Sequence, residues 1–340
     1  MTSPYRAARP PRLRRTMLLP ISMLAAAALS GCSAGAKESG TNGAEAASSA
    51  PKGVVTVEAA RATVDAYEKA NNEANRTRGS RGARLLGTVE GGQVHEQSLA
   101  GYEQFKTWSK KDQEEYGTGF VFTSRRYYIP DGQSWFAVRA KSSGSASEAL
   151  LIFDKVGGRL KMVASVYADE KTAIPEIAVK NGLATAVDPA KRVGTLAPNQ
   201  LGDAFEDLVE TGGMKQGRQL ATTTATKEFA QRYANRTEGK QATFAKINHF
   251  DGKPAHPTVY ALRLADGGVL ALFPTSYTVE YLHKRFMNGG RIIPGPAEAV
   301  YNAERRPVVT DEYQGQALAG LAPSGKPKVI TWRYSMVDSR

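Results

Sequence analysis

One order of helix-like and strand-like segments occurs twice in this 340-residue chain, and that repetition restricts the available folds more than any single motif does. Val57 to Asn75 reads as an amphipathic helix. Ala60, Val64, Tyr67, Asn71 and Ala74 recur at helical spacing, and Thr56 stands where an N-cap belongs. Gly79-Ser80-Arg81-Gly82 is expected to end it. Leu99 to Trp108 makes a second helical segment, with Tyr102 and Phe105 on one side. Four strand-like runs follow, Gly119–Tyr128, Ser134–Lys141, Ala149–Asp154 and Lys161–Tyr167. Asp131-Gly132 and Gly157-Gly158 punctuate them as turns require.

The second half repeats the order. Asn199–Glu210 and Lys227–Tyr233 read as helices, and Ala242–Phe250, Thr258–Ala265 and Val269–Phe273 as strands. Phe120 to Phe136 and Phe244 to Tyr260 are both sixteen residues apart. Phe136-Ala137-Val138-Arg139 then matches Tyr260-Ala261-Leu262-Arg263, and each half offers a strand ending in phenylalanine, Phe153 or Phe273. Three matches in order imply a duplicated domain, 54–180 and 195–340, in line with the usual ~100–200 residues per domain. After Phe273 the halves diverge. Residues 274–325 read as an insertion rich in Pro and Gly (Pro294-Gly295-Pro296, Pro307, Pro323) before a last strand at Val329–Val337.

Helices followed by an antiparallel meander are an α+β plan in which a sheet curls around its helices. In element order each half resembles the cone-shaped NTF2-like and cystatin-like domains, which implies a tandem pair of such domains. The whole chain resembles the two-domain lipoproteins of high-GC Gram-positive bacteria, a likeness that carries no functional residues with it.

The N-terminus has the order of an export signal. Arg6, Arg9, Arg12, Arg14 and Arg15 form a basic leader, and the apolar run Met17–Leu29 follows. Such a run suits a signal h-region of roughly 7–15 residues and is short of the ~20 that span a bilayer. It ends in Leu29-Ser30-Gly31-Cys32, which resembles the lipobox of bacterial lipoproteins. That resemblance implies cleavage between Gly31 and Cys32, acylation of the Cys32 thiol, and a membrane anchor on the extracellular face. Two acyl chains hold stably where one binds reversibly. Cys32 is the only cysteine, so no disulfide, Cys-based zinc site or catalytic thiol competes for it.

Loss of residues 1–31 removes five arginines and lowers the formal charge from +12 to +7. The remaining excess suits a neighbour of anionic lipid or wall polymer. A nucleic-acid partner is not expected, because basic residues are not clustered with stacking aromatics. Residues 33–53 are small and polar and read, with Cys32, as a flexible tether.

Motifs for chemistry are sparse. His249, Asp251 and His256 are close enough to share a metal, yet they fall in a turn and lack a further ligand at defined spacing, so no metal or other cofactor is expected. No G-x-S-x-G elbow and no G-x-x-x-x-G-K-[ST] loop is present. Aromatic residues crowd both halves, and Tyr127 and Trp135, flanking Asp131-Gly132 at a strand end, are the preferred ligand-binding candidates. The expectation is a non-enzymatic envelope lipoprotein that binds a cell-wall polymer, an envelope protein or a small ligand. Two alternatives stay open, a solute-binding lipoprotein serving a transporter and an enzyme on an NTF2-like scaffold. Buried titratable groups facing a cavity would favour the enzyme, and filled apolar cores the interaction module.

Overall fold

The computed structural model describes residues 53–169 and 172–340. The leader, Gly31, Cys32 and the tether as far as Lys52 lie outside the described residues.

Helix α1 (Val57–Thr77) starts where Thr56 Oγ1 accepts from the Ala59 amide at 3.2 Å. Its buried face holds the expected stripe from Ala60 to Ala74. The glycines after it do not end helical structure. Arg78 breaks the axis with φ 51, and α2 (Gly79–Val89) begins at once. Gly82 lets the two helices cross closely, since a Cβ there would fall 2.7 Å from the Ala74 carbonyl oxygen. Then come α3 (Gly92–Gln104) and α4 (Lys110–Gly117).

Strands β1 (Phe122–Tyr128), β2 (Trp135–Ser142), β3 (Glu148–Val156) and β4 (Arg159–Ala168) form an antiparallel meander in sequence order. The small hairpin β5 (Val179–Lys180) and β6 (Leu183–Ala184) leads to the second half. There α5 (Leu201–Glu210), α6 (Thr224–Ala234) and α7 (Gly239–Phe244) precede β7 (Ala245–Asp251), β8 (Tyr260–Arg263), β9 (Val269–His283), β10 (Val308–Leu321) and β11 (Lys328–Ser339). The architecture is α+β.

Helices-then-strands recurs, but strand pairing does not. β1 pairs with β2, whereas β7 pairs with Tyr277–His283 of β9 and β8 with Val269–Leu272 of the same strand. β10 occupies the other edge of β9 along nearly its whole length. The β7–β8 link contains Pro254 and Pro257, which cannot donate to a ladder. β9, with 15 residues, is long enough to carry both short strands end to end. Residues 274–325 therefore differ from the expected insertion. β9 continues through Pro274, which falls between its β8-paired and β7-paired stretches, and β10 lies within the same segment.

Alternation of side chains stacks these elements in four layers. Phe136, Val138, Leu151 and Phe153 meet Ala60, Val64 and Tyr67 of α1. Leu150, Ile152, Ala164 and Val166 face the other way, onto Leu262, Leu270, Leu272 and Leu318 of the second sheet. Beyond that sheet, Ala271, Phe273, Val279 and Ala317 meet Phe205 and Val209 of α5 and Phe229 of α6. Helix α3 packs on β4, β10 and β11, covering inner-face surface that the first sheet does not reach.

Because Leu272 is buried between the sheets, Leu272→Ala is expected to cost about 2–5 kcal/mol. Calorimetry should show one transition for the whole chain, moved to lower temperature. Two transitions, of which only one moves, would contradict this packing.

Candidate functional site

The turn between α2 and α3 is pressed onto β4. The Gly91 amide donates to Met162 O at 3.0 Å, and Gly92, at φ +53, favours glycine, with a Cβ there standing a tight 3.2 Å from the Val163 carbonyl oxygen. This close approach carries Glu90 inside, where it is 1% exposed. Its Oε1 accepts from Tyr67 Oη at 3.2 Å and from Asn71 Nδ2 at 3.1 Å. The chain of bonds runs outward: Asn75 Nδ2 donates to Asn71 Oδ1, and Tyr102 Oη to Asn75 Oδ1. Burial, and then the Glu90 charge, push the Tyr67 hydroxyl well above the usual phenol range, so it remains a donor. Glu90 Oε2 makes no hydrogen bond and lies 3.9 Å from Nδ1 of the half-buried His95. Gln93, also buried, has no hydrogen-bond partner for either polar atom among the described residues.

Gln93, Gln97 and Gln104 share one face of α3 and begin a polar seam between the halves. Gln97 Nε2 donates to Gln314 O at 3.1 Å and its Oε1 accepts from Gln316 Nε2 at 3.2 Å. Gln316 Oε1 in turn accepts from the Ser165 amide of β4 at 3.1 Å. Gln104 Nε2 reaches Met336 O at 2.7 Å, and Glu96 pairs with His256 at 3.0 Å. Reading aromatics and histidines first passes over this seam. The signal for it was glutamine recurring on one helical face.

Two open grooves lie in the first half. One, of 470 Å³, has Tyr67 and Phe153 in its lining, with Ala62 and Ala66 of α1 and Val89 and Arg159 nearby. The other, of 520 Å³, lies where the described chain begins, between Gly53–Val57 and Ile129, Gly182 and Leu183. Neither is lined by an Asp, Glu, His or Lys side chain.

Tyr127 and Trp135 are not brought together. Tyr127 is directly opposite Val138 and packs in the α1-facing core. Trp135, three residues from Val138, points to the other face, is 7% exposed and stacks edge-on against Tyr260 at 5.1 Å in the intersheet core. Period-two alternation separates them, which nearness to a turn does not reveal. His249 and His256 also part. His249 Nδ1 bonds Val209 O at 3.2 Å, and His256 turns to Glu96. Among the described residues no group of three potential metal ligands forms.

Among carboxyl and imidazole groups the largest shifts lie in the second half. Glu206 of α5 accepts from the Ser276 amide at 2.6 Å and from Thr275 Oγ1 at 2.8 Å, yet burial raises its carboxyl to about 8. Burial raises Asp311, beside Ser339, to about 7 and lowers His249 to about 4. None of the three lines either groove.

Residues 51–340 match the model of a family described as a domain of unknown function, DUF8094. The chain belongs to that family. It is also 34% identical over 300 residues to an uncharacterized lipoprotein of Streptomyces coelicolor, covering 82% of this chain and 79% of the relative. The relative's name agrees with a lipoprotein reading of the lipobox at Leu29–Cys32.

Two outcomes follow for this DUF8094 protein. Glu90→Ala leaves Tyr67 and Asn71 without their buried acceptor and is expected to cost about 2–4 kcal/mol in denaturant unfolding, far more than a surface Glu→Ala. Glu206 holds its proton more tightly folded than unfolded. Its stabilising contribution is thus complete below its ordinary value of 4.5 and is lost as pH rises through about 8. Glu206→Gln should remove that loss and melt several degrees above the wild type at about pH 9. Parallel melting curves from pH 5 to about pH 9 would overturn this.

Proposed function

We propose that the protein is an exported lipoprotein, cut before Cys32 and anchored by lipid on that cysteine at the outer face of the cell membrane. Its folded part binds an envelope protein or a wall polymer and catalyses no reaction. The observation that carries the binding reading is the separation of the strongly shifted carboxyl and imidazole groups from the two grooves. Both grooves are lined by aliphatic, aromatic and hydroxyl groups with Arg159 at one rim, which suits recognition. Acid–base work most often uses an imidazole, carboxyl or amine within reach of substrate, and the phenol in the lining, Tyr67, is held as a donor to Glu90. Two of the most strongly shifted groups are bonded inside the fold instead: Glu206 to Thr275 and Ser276, His249 to Val209. Three filled apolar cores support the same reading. A curved NTF2-like or cystatin-like domain in each half is its finer structural form, supported by the recurring helices-then-strands order.

Anchoring is tested by feeding cells labelled palmitate. Label on the wild-type chain and none on Cys32→Ala is the expected result, and an unlabelled wild type would overturn the anchor. Binding class is tested by native mass spectrometry of the chain from Ser33 on, exported by its natural route. A bare polypeptide mass is expected. An adduct released on denaturation would replace the partner-binding reading with capture of a small solute.

A further inference from the structure

The connection between β9 and β10 presents large apolar side chains to solvent. Met287 is 82% exposed, Ile293 67% and Phe286 44%. Phe244, 39% exposed, joins them because its carbonyl accepts from the Lys284 amide at 2.8 Å. Single exposed apolar residues are ordinary, but four at one end of a sheet are not.

The tip is built rigidly. Phe286–Asn288 forms a tight turn, closed by Gly289 at φ 77 and by the Gly290 amide donating to Arg285 O at 2.9 Å. Gly290 is required, since a Cβ would collide with the His283 ring. Ile292 is buried and bridges to Arg306, fixing the return of the chain. Phe286 and Met287 are therefore held outward by backbone that has its own bonds.

Charge tells what such a tip faces. Residues 283–293 carry Lys284, Arg285 and Arg291 and no acidic residue. Lys240 and Lys246 flank Phe244, and Arg305 follows, against Glu238, Glu298 and Glu304. Apolar side chains with cations beside them in the chain match the boundary between anionic headgroups and acyl chains. A protein partner would more often leave the apolar centre of its interface free of charge.

We propose that this tip is a second, direct contact with the membrane, seating Phe286 and Met287 among the lipid tails and Lys284, Arg285 and Arg291 on lipid phosphates. It depends on the proposed anchor only for bringing a bilayer within reach. Twenty residues separate Cys32 from Gly53, a reach of up to about 70 Å. A folded chain of this length has a radius of gyration of about 19 Å, so any face can turn to the membrane.

The test uses the chain from Ser33 to Arg340, which keeps every core residue because all three cores are formed beyond Lys52. Co-sedimentation is measured with vesicles of phosphatidylcholine containing about one third phosphatidylglycerol, and with phosphatidylcholine alone. The wild type is expected to bind the anionic vesicles, less at high salt, and to partition about tenfold or more less strongly as Phe286→Ser/Met287→Ser with an unchanged melting temperature. No binding of the wild type to anionic vesicles, or equal binding of the double variant, overturns the contact. A chain that takes no palmitate in cells could still pass this assay, and a lipidated chain could fail it, so the two proposals stand or fall separately.

Discussion

Everything in this fold depends on the contact between the two sheets. Leu150, Ile152 and Val166 on one side meet Leu262, Leu270 and Leu318 on the other, so each sheet is buried on both faces. A strand in that position cannot alternate apolar with polar. Ala149–Phe153 and Val269–Phe273 are accordingly apolar at every residue. The same contact explains the unequal pairing of the halves. The second sheet must span the first and also support α5 and α6, so β9, β10 and β11 are long, and β7 and β8 share one edge of β9.

Where the first sheet stops, the inner face of the second changes chemistry. Gln314 and Gln316 of β10 stand there, and α3 answers with Gln97. A buried amide is expensive unless both of its ends are bonded, and Gln97 and Gln316 meet that condition through one another and through backbone. The seam thereby fixes one register of α3 against β10, which an apolar seam of sliding side chains would specify less well. Glu90 belongs to the same logic at the other end of the helix, held by Tyr67 and Asn71 as its turn is pressed onto β4.

How much of this could be read in the chain varies by residue. The stripe from Ala60 to Ala74 marked α1, and the apolar runs and Asp-Gly or Gly-Gly turns marked β1 to β4, because local periodicity and turn chemistry decide those features. Helix α2 was hidden behind its glycines: Gly79 and Gly82 look like a stop, but one supplies the break and the other a close crossing. Tyr127 and Trp135 look like partners from their places beside a turn, and opposite faces of a sheet part them. The unalternating runs did carry the signal for sheet against sheet. Turning that signal into four layers required knowing which faces met, and that is a long-range fact. The seam was legible only as glutamine on one face of α3, a pattern that an exposed polar helix would share.

Charge is distributed by depth in the fold. Carboxyls that enter the interior are raised by burial, as Glu206 and Asp311 are, or bonded as Glu90 is to Tyr67 and Asn71. The interior therefore spends most of its polar groups on holding layers together. Most cationic side chains remain outside, where they can act on partners without a desolvation cost. On the proposed reading this is the division of labour that a tethered envelope protein requires. The lipid on Cys32 supplies residence at the membrane, the four layers supply rigidity, and recognition is left to the grooves and to the exposed tip between β9 and β10.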